Sequence, residues 1–102
     1  MQLMLTGEMI DAQEAFRIGL VNKVVPPTEL LAASEAMLRQ ILANAPLAVA
    51  LVIEAVNQGL DGSLADGLNL EASLFGLLAS TQDKLEGTEA FLNKRPPTFQ
   101  GR

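Results

Sequence analysis

The chain has 102 residues and a formal net charge of −5, with 49% hydrophobic residues, no Cys and no His. A length of this order suits one compact domain, and the acidic balance disfavours nucleic acid, which proteins bind through clustered Lys and Arg. Without Cys or His the sequence has no disulfide, no thiolate nucleophile and no imidazole to act as base or metal ligand. We therefore expect a single domain with no metal site and no nucleic-acid partner.

The apolar residues are mainly Leu, Ala, Val, Ile and Met, with four Phe and no Trp or Tyr, and this composition favours helices over strands. There is no long uncharged apolar run and no basic stretch with a cleavage signature at the start, so we expect neither a membrane-spanning helix nor a secretory signal. The expected fold is all-α, with about five helices and at most one short strand, in a cytoplasmic protein.

The first part of the chain is predicted to hold a helix end, one short helix and an extended segment. Residues 1–5 are almost entirely apolar and resemble the last turn of a helix. Asp11 and Glu14 have the spacing of a capping box, in which each side chain bonds the backbone N–H of the other. A short helix should follow and end at Gly19. Residues 20–25 are rich in β-branched side chains and hold the one candidate strand.

The middle of the chain is predicted to hold two helices. In residues 28–44 apolar residues recur at three- and four-residue intervals, which predicts an amphipathic helix with Thr28 as its N-cap. Pro46 suits the first turn of the next helix, which we expect to run to about Asn57 and to stop at Gly59. Because that helix has almost no polar face, it should be buried on nearly all sides, although so small a domain offers few neighbours to cover it.

Two further helices are predicted before an extended tail. The spacing of Ser63 and Asp66 predicts a second capping box, followed by a Leu-rich helix that reaches about residue 79. Ser or Thr at 80–81 then caps a last helix that continues to Lys94 and Arg95, whose charges complement the helix dipole. The two prolines that follow should end this helix.

A series of short motifs along the whole chain matches one known pattern. The motifs are Leu5-Thr6-Gly7, Ile10-Asp11-Ala12, Ala15 with Gly19-Leu20-Val21-Asn22, Val24-Val25-Pro26, Ala43-Asn44-Ala45-Pro46, Glu71 with Phe75, Glu86-Gly87 with Ala90-Phe91 and Lys94-Arg95-Pro96, and finally Phe99 and Gly101. In this order and spacing they resemble the carboxy-terminal region of the crotonase family of enoyl-CoA hydratases and isomerases. The resemblance implies that residues 1–102 form the helical carboxy-terminal domain of that fold, which caps the enzyme and contributes to its trimer.

The resemblance also implies that the family's catalytic parts lie outside this sequence. In crotonase-like enzymes a spiral β/α core precedes this region and supplies two backbone N–H groups for the thioester oxygen, together with glutamates that handle water and protons. Neither the glycine-rich GAGG loop nor the Pro-Glu pair of that core occurs here. We therefore expect no catalytic residue and no resident cofactor in the chain. Hydration by the chain alone is not expected, since losing one oxyanion donor already costs about 10²- to 10³-fold in rate.

Two residues resemble family positions that contact coenzyme A, commonly in a neighbouring subunit. Lys94 is similar to a lysine that contacts the CoA phosphates, although a cation there also stabilises a helix end without any ligand. Phe75 is similar to an aromatic residue that lines the acyl or adenine end of the CoA site, although a Phe on a Leu-rich stripe also suits the core. Arg95 is a weaker candidate for the same contact as Lys94.

Glu71 lies on the same helical stripe as Phe75, so its carboxylate should be partly buried and bonded to a partner. That position makes it the one candidate for an acid with a perturbed pKa. An ion pair, or a bond to a helix amino end, is the structural alternative. The pairs at 11–14 and 63–66 are interpreted as helix caps and not as metal sites.

The resemblance implies that the parent protein is an enoyl-CoA hydratase, which adds water to 2-trans-enoyl-CoA in fatty-acid β-oxidation. This chain would supply the helical cap, an oligomerisation surface and part of a CoA site. Its partners would be acyl-CoA and further copies, in a trimer as in the family or in a dimer. The alternative is a stand-alone helical oligomerisation module without catalytic activity, which the apolar helix starting at Pro46 favours. Acyl-chain preference, and the choice between hydration and isomerisation, depend on residues upstream.

Overall fold

The computed structural model describes all 102 residues, which form six α-helices, one 3-10 turn and no strand. The elements are α1 (Gln2–Thr6), α2 (Ala12–Arg17), a 3-10 turn (Pro27–Glu29), α3 (Leu30–Leu42), α4 (Pro46–Leu60), α5 (Leu64–Ala79) and α6 (Gln82–Leu92). The all-α fold class is confirmed, with six helices where about five were predicted. Residues 20–25 form no strand.

The chain divides into two compact units, Met1–Ala36 and Met37–Arg102. The first unit contains α1, α2 and the beginning of α3. The second contains the rest of α3, then α4, α5, α6 and the residues that follow α6. The assignment of residues 1–102 to one helical domain stays a prediction.

Helices α1 and α2 both end at a glycine in the left-handed conformation. Gly7, with φ 64°, donates its N–H to the carbonyl oxygen of Leu3 at 3.0 Å. Gly19, with φ 76°, donates to Phe16 at 3.1 Å, and the next N–H bonds the carbonyl of Ala15 at 2.9 Å. A Cβ atom is strained at such φ values, so glycine is the favoured residue at this position of a helix end. The prediction that α2 ends at Gly19 is confirmed.

The predicted capping residues of α2 and α5 accept the expected backbone bonds, but neither capping box is complete. The Asp11 carboxylate accepts the N–H of Glu14 at 2.8 Å, and the Ser63 hydroxyl accepts the N–H of Asp66 at 3.2 Å. Glu14 does not reach back to the cap. It bonds the guanidinium of Arg17 at 2.5 and 2.6 Å, and this hydrogen bonding lowers the pKa of Glu14. A guanidinium one turn away offers a stronger, charge-assisted bond than a backbone N–H does.

The predicted N-cap at Thr28 is wrong. The 3-10 turn begins at Pro27 and runs directly into α3, so Thr28 lies within a helical turn. No side chain caps the start of this turn. The fixed φ of proline suits a first helical turn, and its missing N–H needs no acceptor there, so the helical segment begins at the proline itself.

Helix α4 begins at Pro46 as predicted but continues beyond residue 57, through Gly59, to Leu60. Gly59 lies against Gly67 of α5, where a Cβ atom added to Gly67 would lie only 3.3 Å from the Gly59 Cα. The missing side chain of Gly67 therefore lets the two helix backbones approach closely, whereas a Cβ atom at Gly59 would make only an ordinary contact at 3.7 Å, and Gly59 does not stop the helix. Helix α4 thus ends at Leu60, one residue beyond the predicted stop at Gly59.

Helix α4 is not buried in this chain. Val52, Ile53 and Val56 expose 60%, 57% and 54% of their surface, and no residue of α4 or α5 is classed as buried. The prediction of burial on nearly all sides is wrong for this chain, because α5 alone packs extensively against α4 and covers one side of it.

No single helix combines the length and the apolar character needed to cross a membrane. Helices α3 and α4, which are joined at a bend, satisfy both conditions only when they are counted together.

Candidate functional site

The densest cluster of polar contacts joins α6 to the residues that follow it. Helix α6 begins after Thr81, whose hydroxyl accepts the N–H of Lys84 at 3.2 Å, so Thr81 and not Ser80 is its cap. Two carboxylates, Asp83 and Glu86, lie one turn apart and therefore on the same side of the helix. Both bind residues 95–102, which we call the tail and which have no regular secondary structure.

Asp83 is the one buried charged residue of the chain, with 4% of its surface exposed. Its carboxylate accepts the backbone N–H groups of Gln100 and Gly101, each at 2.7 Å, and its own N–H donates to the carbonyl oxygen of Arg102 at 3.0 Å. A carboxylate removed from water needs such partners, and here both oxygens have one. Asp83 thereby fixes the last three residues of the tail against the start of α6.

Glu86 binds the beginning of the tail. Its carboxylate forms a two-bond ion pair with the guanidinium of Arg95, at 2.6 and 2.8 Å, and also accepts the N–H of Thr98 at 2.7 Å. The bond from Arg95, followed by the bond from Thr98, lowers the pKa of Glu86 from 4.5 to about 2. Arg95 therefore has a protein partner for its charge, which weakens its candidacy as a ligand contact.

Lys94 lies just beyond α6 in the left-handed conformation, with φ 52°, and no other non-glycine residue has a positive φ. Its N–H donates to the carbonyl of Phe91 at 3.2 Å, and the N–H of Arg95 donates to the carbonyl of Ala90 at 3.0 Å. These two bonds form a Schellman motif at the helix end. The Lys94 side chain is exposed and its ammonium forms no ion pair with the protein. Of the two predicted cations, only Lys94 keeps an uncompensated charge.

Phe75 is 70% exposed, so it does not belong to a core of this chain. It lies where two apolar grooves meet. The α4–α5 groove, of about 440 Å³, includes Val56, Leu68 and Glu71 in its lining. The aromatic groove, of about 510 Å³, includes Phe91 and Phe99 together with Phe75.

Lys94 lines neither groove, so the two predicted CoA contacts do not face one pocket of this chain. Their role in binding CoA stays a prediction.

Glu71 is exposed and accepts no hydrogen bond, although a partly buried and partnered carboxylate was predicted. The prediction was wrong because the apolar residues around Glu71 in the α4–α5 groove are themselves open to solvent. Hydrogen bonds from arginine side chains lower the pKa of Glu14 and of Glu86. No group of three or more acidic side chains is arranged to hold a metal ion.

The carboxylates Asp83 and Glu86 had no functional role in the sequence analysis. Their partners lie 9 to 18 residues further along the chain, in a tail without periodic structure. The Glu86-Gly87 motif identified these two residues as part of the family pattern, but it did not indicate that Glu86 contacts the tail. A Cβ atom at Gly87 would lie 3.4 Å from the ring of Phe99, so this glycine makes room for the tail.

The sequence and the fold match one family. The sequence model of the enoyl-CoA hydratase/isomerase family matches residues 1–102. The chain therefore belongs to the enoyl-CoA hydratase/isomerase family, and its fold is that of the helical carboxy-terminal part of crotonase-like proteins. This confirms the resemblance inferred from the motifs.

The relatives are enoyl-CoA hydratases of greater length. The chain is 47% identical over 98 residues to the crotonyl-CoA hydratase of Syntrophomonas wolfei, a match that covers 96% of this chain and 38% of that protein. It is 43% identical to the short-chain-enoyl-CoA hydratase of Clostridium acetobutylicum, covering 92% of this chain and 36% of that protein. The crystal structure of enoyl-CoA hydratase from Bacillus anthracis superposes with a TM-score of 0.95 at 39% identity, covering 99% of this chain and 39% of that one. The chain thus spans well under half the length of these relatives.

Proposed function

We propose that this chain is the helical cap and assembly region of a cytoplasmic enoyl-CoA hydratase, whose parent protein adds water across the double bond of a 2-trans-enoyl-CoA in fatty-acid β-oxidation. Membership of the family and the names of the two hydratase relatives support the parent reaction. Because the chain spans 38% of the first of these relatives, the reaction is assigned to the parent protein and not to these 102 residues alone.

The observation that carries the proposal is the large surface that the chain exposes. The accessible surface is 8479 Å² for a mass of 10.8 kDa. A folded monomer of this mass exposes about 5,500 Å² by the usual scaling of area with mass. The excess on this one chain, roughly 3,000 Å², is larger than the area of about 800 Å² that one partner contributes to a standard-size interface. This excess supports an interface between this chain and other polypeptide.

Part of this exposed apolar surface lies on α4 and α5. Val52 and Val56 on α4 and Leu68 on α5 each expose more than half of their surface, at 60%, 54% and 54%. All three line the α4–α5 groove. An exposed apolar area of this kind is typical of a protein interface. In the proposal, the parent protein and its further copies, in a trimer or a dimer, pack against this groove.

A contribution to a CoA site is the second part of the proposal. The free ammonium of Lys94 suits a phosphate group, to which lysine binds as a point charge. The exposed ring of Phe75 suits the packing of an apolar acyl chain or a planar base. Because the two residues line no common groove, residues of the parent protein or of a neighbouring copy would complete such a site.

The direct test of the first part is hydration of crotonyl-CoA by the purified 102-residue chain. We expect no turnover above the uncatalysed rate, with the crotonyl-CoA hydratase of Syntrophomonas wolfei as the positive control. Turnover at ordinary enzyme rates, about 1 to 10³ per second, would refute the division between a catalytic region and this helical region.

The test of the CoA contact is a calorimetric titration of the chain with coenzyme A. Lys94→Ala should weaken binding about tenfold, which is typical for the loss of one charge-assisted bond. Lys23→Ala removes an exposed lysine far along the sequence and serves as the matched control, with no expected change. Equal affinity for the wild type and Lys94→Ala would remove this contact from the proposal.

The second candidate function is a stand-alone oligomerisation module that binds no CoA. The same exposed α4–α5 surface favours it. The two candidates differ in one measurable property, because the module assembles but gives no heat of binding with coenzyme A. Assembly together with CoA binding that depends on Lys94 supports the hydratase region.

A further inference from the structure

The three helix ends with a left-handed residue differ in one respect. At α1 and α2 that residue is glycine, Gly7 and Gly19, whereas at α6 it is Lys94, with φ 52°. Glycine is preferred at this position because every other residue carries a Cβ atom that is strained there. The stability of the helix end therefore does not account for a lysine, which indicates that its side chain is used.

Lys94 is flanked by the most strongly held residue of the tail. The backbone N–H of Arg95 bonds Ala90 in the last turns of α6, and its guanidinium forms two bonds with Glu86. The same Glu86 carboxylate also accepts the N–H of Thr98. The residue after Lys94 is thus held through both its backbone and its side chain, which restricts the backbone angles available to Lys94.

The ion pair also determines which cation stays available. Glu86 neutralises Arg95, and the Glu89 carboxylate lies 3.9 Å from the Arg95 guanidinium. Neither carboxylate forms an ion pair with Lys94. Lys94 is left with a free ammonium beside a compensated guanidinium. Since the direction of the Cα–Cβ bond follows from φ and ψ, fixing the backbone at Lys94 also fixes where its side chain leaves the helix end.

We propose that Glu86 is a positioning residue for CoA binding: through its ion pair with Arg95 it holds Lys94 in the left-handed conformation and presents the Lys94 ammonium to a phosphate group of the acyl-CoA. This inference rests on the proposed contact between Lys94 and CoA and adds the residue that organises it. Glu86 itself touches no ligand.

The first experiment measures the backbone at residue 94 by NMR in Glu86→Gln. Glutamine keeps the size of the side chain and can still accept the N–H of Thr98, but it cannot form the ion pair with Arg95. The 15N heteronuclear NOE of Lys94 should fall, and its 13Cα and 13Cβ shifts should move away from left-handed values. Glu89→Gln is the matched control, because it makes the same change one turn along α6, where the carboxylate is 70% exposed and 3.9 Å from Arg95. It should leave residue 94 unchanged.

The second experiment combines Glu86→Gln with Lys94→Ala in a titration with coenzyme A. Each single variant should weaken binding about tenfold, and the double variant should bind no more weakly than Lys94→Ala alone, because Glu86 acts through Lys94. Lys94→Gly should preserve the helix end and raise Tm, yet lose the same affinity, since glycine suits the left-handed position but has no ammonium.

The outcomes separate the inference from the proposal beneath it. An unchanged residue 94 in Glu86→Gln, or full additivity in the double variant, overturns the positioning role while leaving the Lys94 contact intact. Wild-type affinity in Lys94→Ala, or no binding of coenzyme A by the wild type, would show that Lys94 does not contact CoA. Glu86 would then have no CoA-binding residue to position. Loss of order at residue 94 in Glu86→Gln, together with non-additive losses of affinity, supports both.

Discussion

The α4–α5 pair and the α6–tail region, both in the second unit, differ in how many of their side chains find a partner within the chain. The α4–α5 pair presents valines and leucines to solvent and is held together where Gly59 meets Gly67. In contrast, α6 and the tail are joined by Asp83 and Glu86, whose carboxylates accept five hydrogen bonds from tail residues. The polar contacts between α6 and the tail are satisfied within the chain, whereas the apolar side chains of α4 and α5 are not covered by it.

This difference shows which parts of a helical region depend on further polypeptide. Hydrogen bonds that are made and satisfied locally hold a segment in place without a neighbour. Apolar helix faces contribute to stability only when they are removed from water. They therefore stabilise the fold only after an interface covers them. The α6–tail region is therefore expected to keep its structure in the isolated chain, while α4 and α5 gain most of their stability on assembly.

The largest expected effect follows from removing the centre of the polar region. Asp83→Ala leaves two backbone N–H groups, those of Gln100 and Gly101, without their carboxylate partner. Each lost bond to a charged group costs about 1.5 to 3 kcal/mol, so the loss of both should lower the free energy of unfolding by roughly 3 to 6 kcal/mol. Urea unfolding monitored by circular dichroism measures this change.

Glu71→Ala is the control for that prediction. Its carboxylate is exposed and unbonded, so the substitution should change the free energy of unfolding by less than about 0.5 kcal/mol. Equal effects of Asp83→Ala and Glu71→Ala would contradict the picture of a self-contained α6–tail region.

The next effect tests the glycine contact of the apolar region. In Gly67→Ala the new Cβ lies 3.3 Å from the Gly59 Cα and 3.5 Å from its carbonyl oxygen, so the two backbones must separate. We expect a loss of about 1 to 3 kcal/mol, as for other substitutions that overfill a packed contact.

Gly76→Ala is the matched control on the same helix, since nothing lies within 4 Å of its new Cβ atom. Because alanine is the better helix former, this variant should be more stable by about 0.5 to 1 kcal/mol. Thermal unfolding of both variants checks the difference in sign. A destabilised Gly76→Ala or a neutral Gly67→Ala would show that the α4–α5 crossing does not depend on this contact.

The smallest expected effect is the weakening of the tail attachment when Glu86 is protonated. The bond from Arg95, then the bond from Thr98, lowers its pKa in the folded chain from 4.5 to about 2. A carboxyl whose pKa is lower in the folded chain than in the unfolded chain stabilises the fold at a pH above its unfolded pKa. This contribution to stability is lost as the pH falls through the folded pKa. The attachment of the tail should therefore weaken between about pH 4.5 and pH 2.

Amide exchange at Thr98, followed by NMR as the pH is lowered, measures this loss. Glu86→Gln should show a lower protection factor already at pH 6, because the ion pair with Arg95 is gone at every pH even though the glutamine oxygen can still accept the Thr98 N–H. If Thr98 were equally protected in both proteins at pH 6, the ion pair would not hold the tail.

The sequence predicted most of what depends on neighbouring residues. The caps at Asp11, Ser63 and Thr81, the glycine end of α2 and the start of α4 at Pro46 follow from short-range backbone chemistry. The motifs identified the family, which the comparisons confirmed.

What the sequence did not predict depends on partners that are distant in the chain or outside it. Asp83 and Glu86 bond tail residues with no periodic signal, and Gly67 makes room for the backbone of another helix at Gly59. Glu71 and α4 were expected to be buried because their apolar pattern is that of a covered surface. The chain alone does not supply that cover.

Sedimentation equilibrium of the 102-residue chain, beside Val56→Lys, tests most directly whether the exposed α4–α5 surface is an interface. Val56 lines the groove and is 54% exposed, so the charge is tolerated in a monomer but disfavoured in an assembly. The account predicts a wild-type mass that rises with concentration to a defined dimer or trimer, and a monomeric Val56→Lys chain with unchanged helix content. A wild-type chain that stays monomeric at all concentrations would contradict it.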